Sequence, residues 1–124
     1  MSGDCYTGYF LGLLSQTLLF HWCTPKYSHH IALDKLYSRL QDKSDRFIEV
    51  YLAKFDKQPV HIFNVDINAT SDCDNMNAYY NTQKENLKKI KTALNKAPNA
   101  GGLQGILEDM INDIDQFVYL KRLE

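Results

Sequence analysis

Cysteine, proline and tryptophan are scarce in this 124-residue chain, which holds three, three and one of them. Cys5, Cys23 and Cys73 are odd in number and form no CxxC pair, which argues against a disulfide framework and predicts free thiols in a reducing, cytoplasmic setting. An excess of either charge is missing too. Fourteen basic residues face fifteen acidic ones, for a net charge of −1 and a pI near 6.4, so no global field draws the protein onto nucleic acid or anionic lipid. There is no long hydrophobic run. The most apolar stretch, Tyr9 to Trp22, is broken by Ser15, Gln16 and His21 and has no basic flank, so it is too short and too polar to span a bilayer or act as a signal peptide. Internal repeats and low-complexity segments are also absent. The sequon Asn68-Ala69-Thr70 means nothing without secretion.

What remains is a single domain, 1–124, of a size that buries roughly two-thirds of its unfolded surface. Four segments have helical periodicity. The first, about 6–22, repeats Phe10, Leu13, Leu14, Thr17, Leu18 and His21 on one face. Thr24-Pro25 stops it and starts the second, about 25–55, with Thr24 as cap and Pro25 at the first helical position. There Leu33, Leu36, Tyr37, Leu40, Phe47, Ile48, Tyr51 and Phe55 make a narrow apolar stripe. The third, about 75–96, carries Met76, Tyr79, Tyr80, Gln83, Leu87, Ile90, Leu94 and Ala97, and ends at Pro98 and Gly101-Gly102. The fourth, about 103–123, has the cleanest pattern, through Ile106, Leu107, Met110, Ile111, Ile114, Phe117 and Val118. Between the second and third lies a linker, Asp56 to Asp74, in which Val60 to Val65 alternates like a small extended piece. So long a linker suits a crossover that lets the second and third helices run parallel. The expected fold is all-α: a ferritin-like four-helix bundle with a long crossover between its second and third helices.

At about 100° per residue, His30, Asp34, Asp45 and Glu49 share one strip of the second helix within an arc of about 100°. Lys35, Arg39, Lys43 and Arg46 fall on its far side, so the charges are sorted by sign rather than interleaved. A solvated face whose charges segregate by chance explains either pair of acids alone. Asp34 and Asp45 are separated by a rise of about 16 Å, too far for one ion. An antiparallel pairing of two such helices about a two-fold axis would set His30 and Asp34 of one chain opposite Asp45 and Glu49 of the other, with His21 completing each cluster. Two imidazoles and three carboxylates suit iron, manganese or zinc, and iron fits best where redox chemistry follows.

These residues resemble the ferroxidase signature of the Dps proteins, the mini-ferritins: His21-Trp22, then His30 with Asp34, then Asp45 with Glu49. The resemblance covers the first two helices and, more weakly, the fourth. It implies that His21, His30 and Asp34 come from one subunit and Asp45 and Glu49 from its two-fold mate, all five acting as metal ligands and catalytic residues of a ferroxidase. Ferrous iron would be oxidised there with hydrogen peroxide or dioxygen and stored as ferric mineral in a dodecameric cage. The His21–His30 segment is shorter than the family's, and the linker does not resemble its short helix, so the assembly expected is a homodimer at least. Met1-Ser2-Gly3-Asp4 is neutral to acidic, so DNA binding is not expected. Trp22 is open between packing and radical quenching. His29 replaces His30 if the second helix starts in another phase, and His61 is a linker candidate; both are expected to be exposed. The tyrosines suit packing, and Lys84, Lys88, Lys89 and Lys91 a solvated face. The alternative function is a structural or assembly protein on the same scaffold, its site holding a stabilising metal or none. A third, an adaptor gripping a partner through the linker, ranks last.

Overall fold

A computed structural model of the chain describes residues 6–55, 65, 67, 73–97 and 100–123. They form four helices: α1 (Tyr6–Cys23), α2 (Tyr27–Phe55), α3 (Cys73–Leu94) and α4 (Leu103–Lys121). No strand occurs among the described residues. Each helix end lies within two residues of its expected place. Most of the linker, His61 included, lies outside the described residues; Val65, the last residue of the alternating run, has no regular structure.

All four helices feed one core. Phe10, Leu13 and Phe20 of α1 meet Leu33, Leu36, Leu40 and Phe47 of α2, Met76, Tyr80 and Leu87 of α3, and Leu107, Met110 and Ile114 of α4. Burying such a side chain contributes about 1.5–3 kcal/mol, so truncating one at the centre, as in Phe47→Ala, costs about 3–5 kcal/mol. The inward face of α1 is turned from the one its periodicity suggests. Tyr6, Gln16 and Phe20 are buried alongside Phe10, Leu13 and Thr17, while Leu14, Leu18 and His21 are half-buried. An apolar residue stands at most positions round this helix, so hydrophobicity alone does not fix its phase.

Cross-helix contacts set the directions. Tyr6 packs edge-on against Tyr51 while His21 meets His30, so α1 and α2 are antiparallel. Lys43 pairs with Asp113 and Arg39 with Gln116, and Lys84 pairs with Asp115 and Lys91 with Glu108. Helix α4 is therefore antiparallel to both α2 and α3. It starts at Gly102, whose φ of 93° lies where an L side chain is strained.

The α1–α2 corner departs from expectation. Helix α2 begins at Tyr27, with the His30 amide bonded to the Lys26 carbonyl. Lys26 thus takes the capping place, and the Thr24 hydroxyl is buried without a hydrogen-bond partner among the described residues. The Thr24 amide still closes the last turn of α1 on the Phe20 carbonyl, which holds Thr24 with α1 rather than at the mouth of α2.

Candidate metal centre

The next bond of that turn would run from residue 25 to the His21 carbonyl, and Pro25 has no N–H to give. His30 supplies it. Its Nδ1 lies 2.9 Å from the His21 carbonyl oxygen, and the His21 Nδ1 lies 3.0 Å from the His30 carbonyl oxygen. The two imidazoles stack, with centroids 3.9 Å apart and planes inclined by 20°. A carbonyl oxygen only accepts, so each Nδ1 donates; in the neutral ring the lone pair then belongs to Nε2. A histidine that donates one ring N–H to a carbonyl while keeping the other nitrogen basic is oriented as metal-binding histidines usually are.

Both rings are half-buried. Tyr27 stacks beyond His30 at 6.4 Å and is 78% exposed, and Trp22 is 69% exposed. Trp22 is therefore not a core packing residue among the described residues. His29 also departs from expectation, being buried rather than exposed. Its spacing from Leu33, Leu36 and Leu40 continues their buried face, a signal present in the sequence. His30, about 100° further round, is left to face α1.

The three carboxylates lie elsewhere. Asp34 is one turn below His30; Asp45 and Glu49 follow further down α2, and all three are exposed. Asp45 lines a groove of about 510 Å³ between α1 and α2, with Thr7, Leu11 and Ser44, and the Ser44 hydroxyl is buried without a partner among the described residues. One chain thus brings His21 and His30 together but not the acids. Among the described residues no three His, Cys, Asp or Glu side chains are grouped closely enough to hold a metal.

The sorted charges have a reason on their basic side. Arg39 and Lys43 reach across to Gln116 and Asp113 of α4. Lys84 and Lys91 of α3 pair with Asp115 and Glu108 of that same helix, and Lys88 with Glu85. These lysines act within the fold. Of the tyrosines expected to pack, Tyr51 and Tyr80 are buried and Tyr37 and Tyr79 are half-buried, whereas Tyr119 is 56% exposed. Tyr80 donates to or accepts from Thr17 at 2.8 Å, and Tyr9 donates to Gln83 at 2.8 Å. Burial pushes the Tyr80, Tyr79 and Tyr9 phenols well above their usual value, so they stay neutral at physiological pH. Cys23 is a free, exposed thiol; the side chains of Cys5 and Cys73 lie outside the described residues. No helix among the described residues is long and apolar enough to cross a membrane.

No curated protein and no solved structure matches the chain. Residues 21–120 match a family of unknown function, DUF5856. The match starts at His21, takes in His30, Asp34, Asp45 and Glu49, and runs to the end of α4, so the chain belongs to that family.

Proposed function

We propose that this protein is a Dps-like mini-ferritin that takes ferrous iron as substrate between two subunits and oxidises it with hydrogen peroxide or dioxygen. The observation that carries this reading is the His21–His30 pair, in which each Nδ1 is committed to a carbonyl and each Nε2 keeps its lone pair. Asp34 of the same chain and Asp45 and Glu49 of a second chain would complete a set of two imidazoles and three carboxylates, suited to iron, with zinc or manganese as the other ions it accepts. The protein would hold the ion, and the oxidant would take its electron. The exposure of all three acids supports an intersubunit arrangement. The ferritin-like connection is supported by α2 and α3 both opposing α4, and by Val65, which lies beside Gly12 near the middle of α1, as a linker travelling along the bundle would.

The test is anaerobic titration with ferrous iron, then hydrogen peroxide, in the wild type and in an Asp45→Ala/Glu49→Ala double variant, with molecular mass recorded in the same samples. Saturable binding of about one or two irons per subunit, with rapid oxidation lost in the variant, is expected. The absence of binding, or oxidation unchanged in the variant, would remove the ferroxidase claim. The second reading, a structural or assembly role on the same scaffold, is favoured by the exposure of Trp22 and Ile31, next in sequence to His21 and His30, and of Tyr27, which stacks on His30. It predicts a dimer without iron oxidation.

A further inference from the structure

Helix α2 carries two seams, and the core uses only one of them, through Leu33, Leu36, Leu40 and Phe47. The second seam alternates steps of four and three residues, the spacing of a heptad. Tyr27 and Ile31 begin it, Asp34, Ser38, Gln41 and Asp45 form its middle, and Ile48 and Leu52 end it. None of these residues is buried. Tyr27 is 78% and Ile31 38% exposed, the four polar residues are exposed, and Ile48 and Leu52 are half-buried. The seam is thus apolar at both ends and polar between them.

Its two edges differ. On one side stands α1, which has no Asp, Glu, Lys or Arg among its 18 residues. A helix without a charged face is one that neighbours cover on most sides, yet Leu11 is 42% exposed. Leu11 and Leu14 of α1, with Gln41, Asp45 and Ile48 of the seam, line the groove of about 510 Å³ between the two helices. On the other side Lys35 and Asp42 flank the seam. Both are exposed, and neither forms an ion pair among the described residues.

We propose that this face binds a second copy of the chain, α2 against α2 and antiparallel, in the register centred between Ser38 and Gln41. Reversed about that point, Tyr27 faces Leu52 and Ile31 faces Ile48, so apolar residues meet at both ends. Asp34 faces Asp45, the layer at which the cation of the reading above would enter. At the edge, Lys35 of one copy comes to Asp42 of the other, twice per dimer. Flanking charges of this kind set partner and direction. A parallel pairing matches the apolar ends equally well but turns the two Lys35–Asp42 edges to opposite sides, so charge selects the antiparallel form. The proposal rests on the intersubunit half of the proposed function and not on its oxidation chemistry.

The test places Ile31→Cys and Ile48→Cys, singly and together, in the full chain with Cys5, Cys23 and Cys73 changed to Ser, and oxidises each protein with diamide in chelator or in manganese. Within one helix the two positions are separated by a rise of about 26 Å, far beyond the roughly 7 Å that a disulfide spans, so any bridge joins two chains. Covalent dimer is expected in the double variant, with about tenfold less in either single variant. Single variants that bridge as well as the double, as a parallel pairing requires, would overturn the proposal, and so would no bridging at all. Charge reversal measures the same register without thiols, at two exposed residues that circular dichroism can show to leave the helices intact. Lys35→Asp should weaken association about tenfold in sedimentation, and Lys35→Asp/Asp42→Lys should restore it; a double reversal that restores nothing counts against the register. Iron oxidation assayed in the same samples separates the two readings. A bridged dimer without oxidation keeps this proposal and removes the ferroxidase claim, whereas oxidation by chains that do not bridge overturns the proposal and leaves that claim standing.

Discussion

Tyr80 gives the sharpest test of how the bundle is held. It is fully buried, and its ring touches Phe20 of α1, Tyr79 of its own helix and Phe117 of α4 at centroid distances of 6.0, 5.0 and 5.1 Å. Its hydroxyl meets that of Thr17, itself fully buried, at 2.8 Å. Tyr80→Phe keeps the ring contacts and removes one hydroxyl, leaving the Thr17 hydroxyl without this partner. The expected cost is about 1–3 kcal/mol, the penalty for an unsatisfied buried polar group rather than the smaller net value of one hydrogen bond. Thr17→Val should cost a similar amount for the mirror-image reason. The double variant removes both polar groups and should return to within about 1 kcal/mol of the wild type, because no orphan remains. Urea denaturation followed by circular dichroism would measure all four proteins, and each kcal/mol should move the melting temperature by about 2–8 °C. A double variant as destabilised as the sum of the two single variants would refute the pairing of these hydroxyls.

Two further outcomes follow from the same structure. Tyr6, Tyr9, Tyr79 and Tyr80 all have raised phenol pKa values, chiefly through burial, so the folded state favours their neutral form. Their contribution is fully present below pH about 10, the unfolded value, and is lost above it at up to about 1.4 kcal/mol per pH unit for each fully shielded group. Stability should therefore fall in the alkaline range and fall less steeply in Tyr80→Phe; a phenolate absorbance that rises well before unfolding would contradict this. Among the ion pairs, Asp113→Asn should cost about 1 kcal/mol, because the Asp113 side chain is only 12% exposed, whereas Glu85→Gln, at 66% exposure, should change stability by less than about 0.5 kcal/mol. Equal effects at the two sites would show that burial does not govern them.

The helices were legible because their chemistry is local. Ile106, Leu107, Met110, Ile111, Ile114 and Phe117 are all buried where their period predicts, and Gly102 begins α4 where a positive φ is needed. Helix α1 was less legible, since a segment that is apolar on most sides leaves its phase to be chosen by its neighbours. The mutual His21–His30 bonds were not legible at all. They depend on Pro25 withholding one N–H and on a three-residue corner that brings the end of α1 over the first turn of α2, and neither follows from residue spacing alone.

Helix α2 then has three faces with different partners. Its apolar stripe meets the core, and on its basic side Arg39 and Lys43 reach α4. Asp34, Asp45 and Glu49 fall within about 60° of one another on the remaining side, where all three are exposed and none forms an ion pair among the described residues. Like charges gathered on one exposed strip repel, weakly in water but more strongly as water is removed. A second α2 could therefore pack against this strip only if something positive entered with it. Asp34 lies one helical turn from His30, and an antiparallel mate would bring Asp45 and Glu49 toward the half-buried His21–His30 pair, so a divalent cation at that point would neutralise the strip and draw on both sets of side chains. On the proposed reading metal and dimer would be coupled: removing metal with a chelator should lower the dimer's association, and Asp45→Asn/Glu49→Gln, which removes the repulsion, should make association independent of metal. Dimers equally stable with and without metal in the wild type would break that coupling.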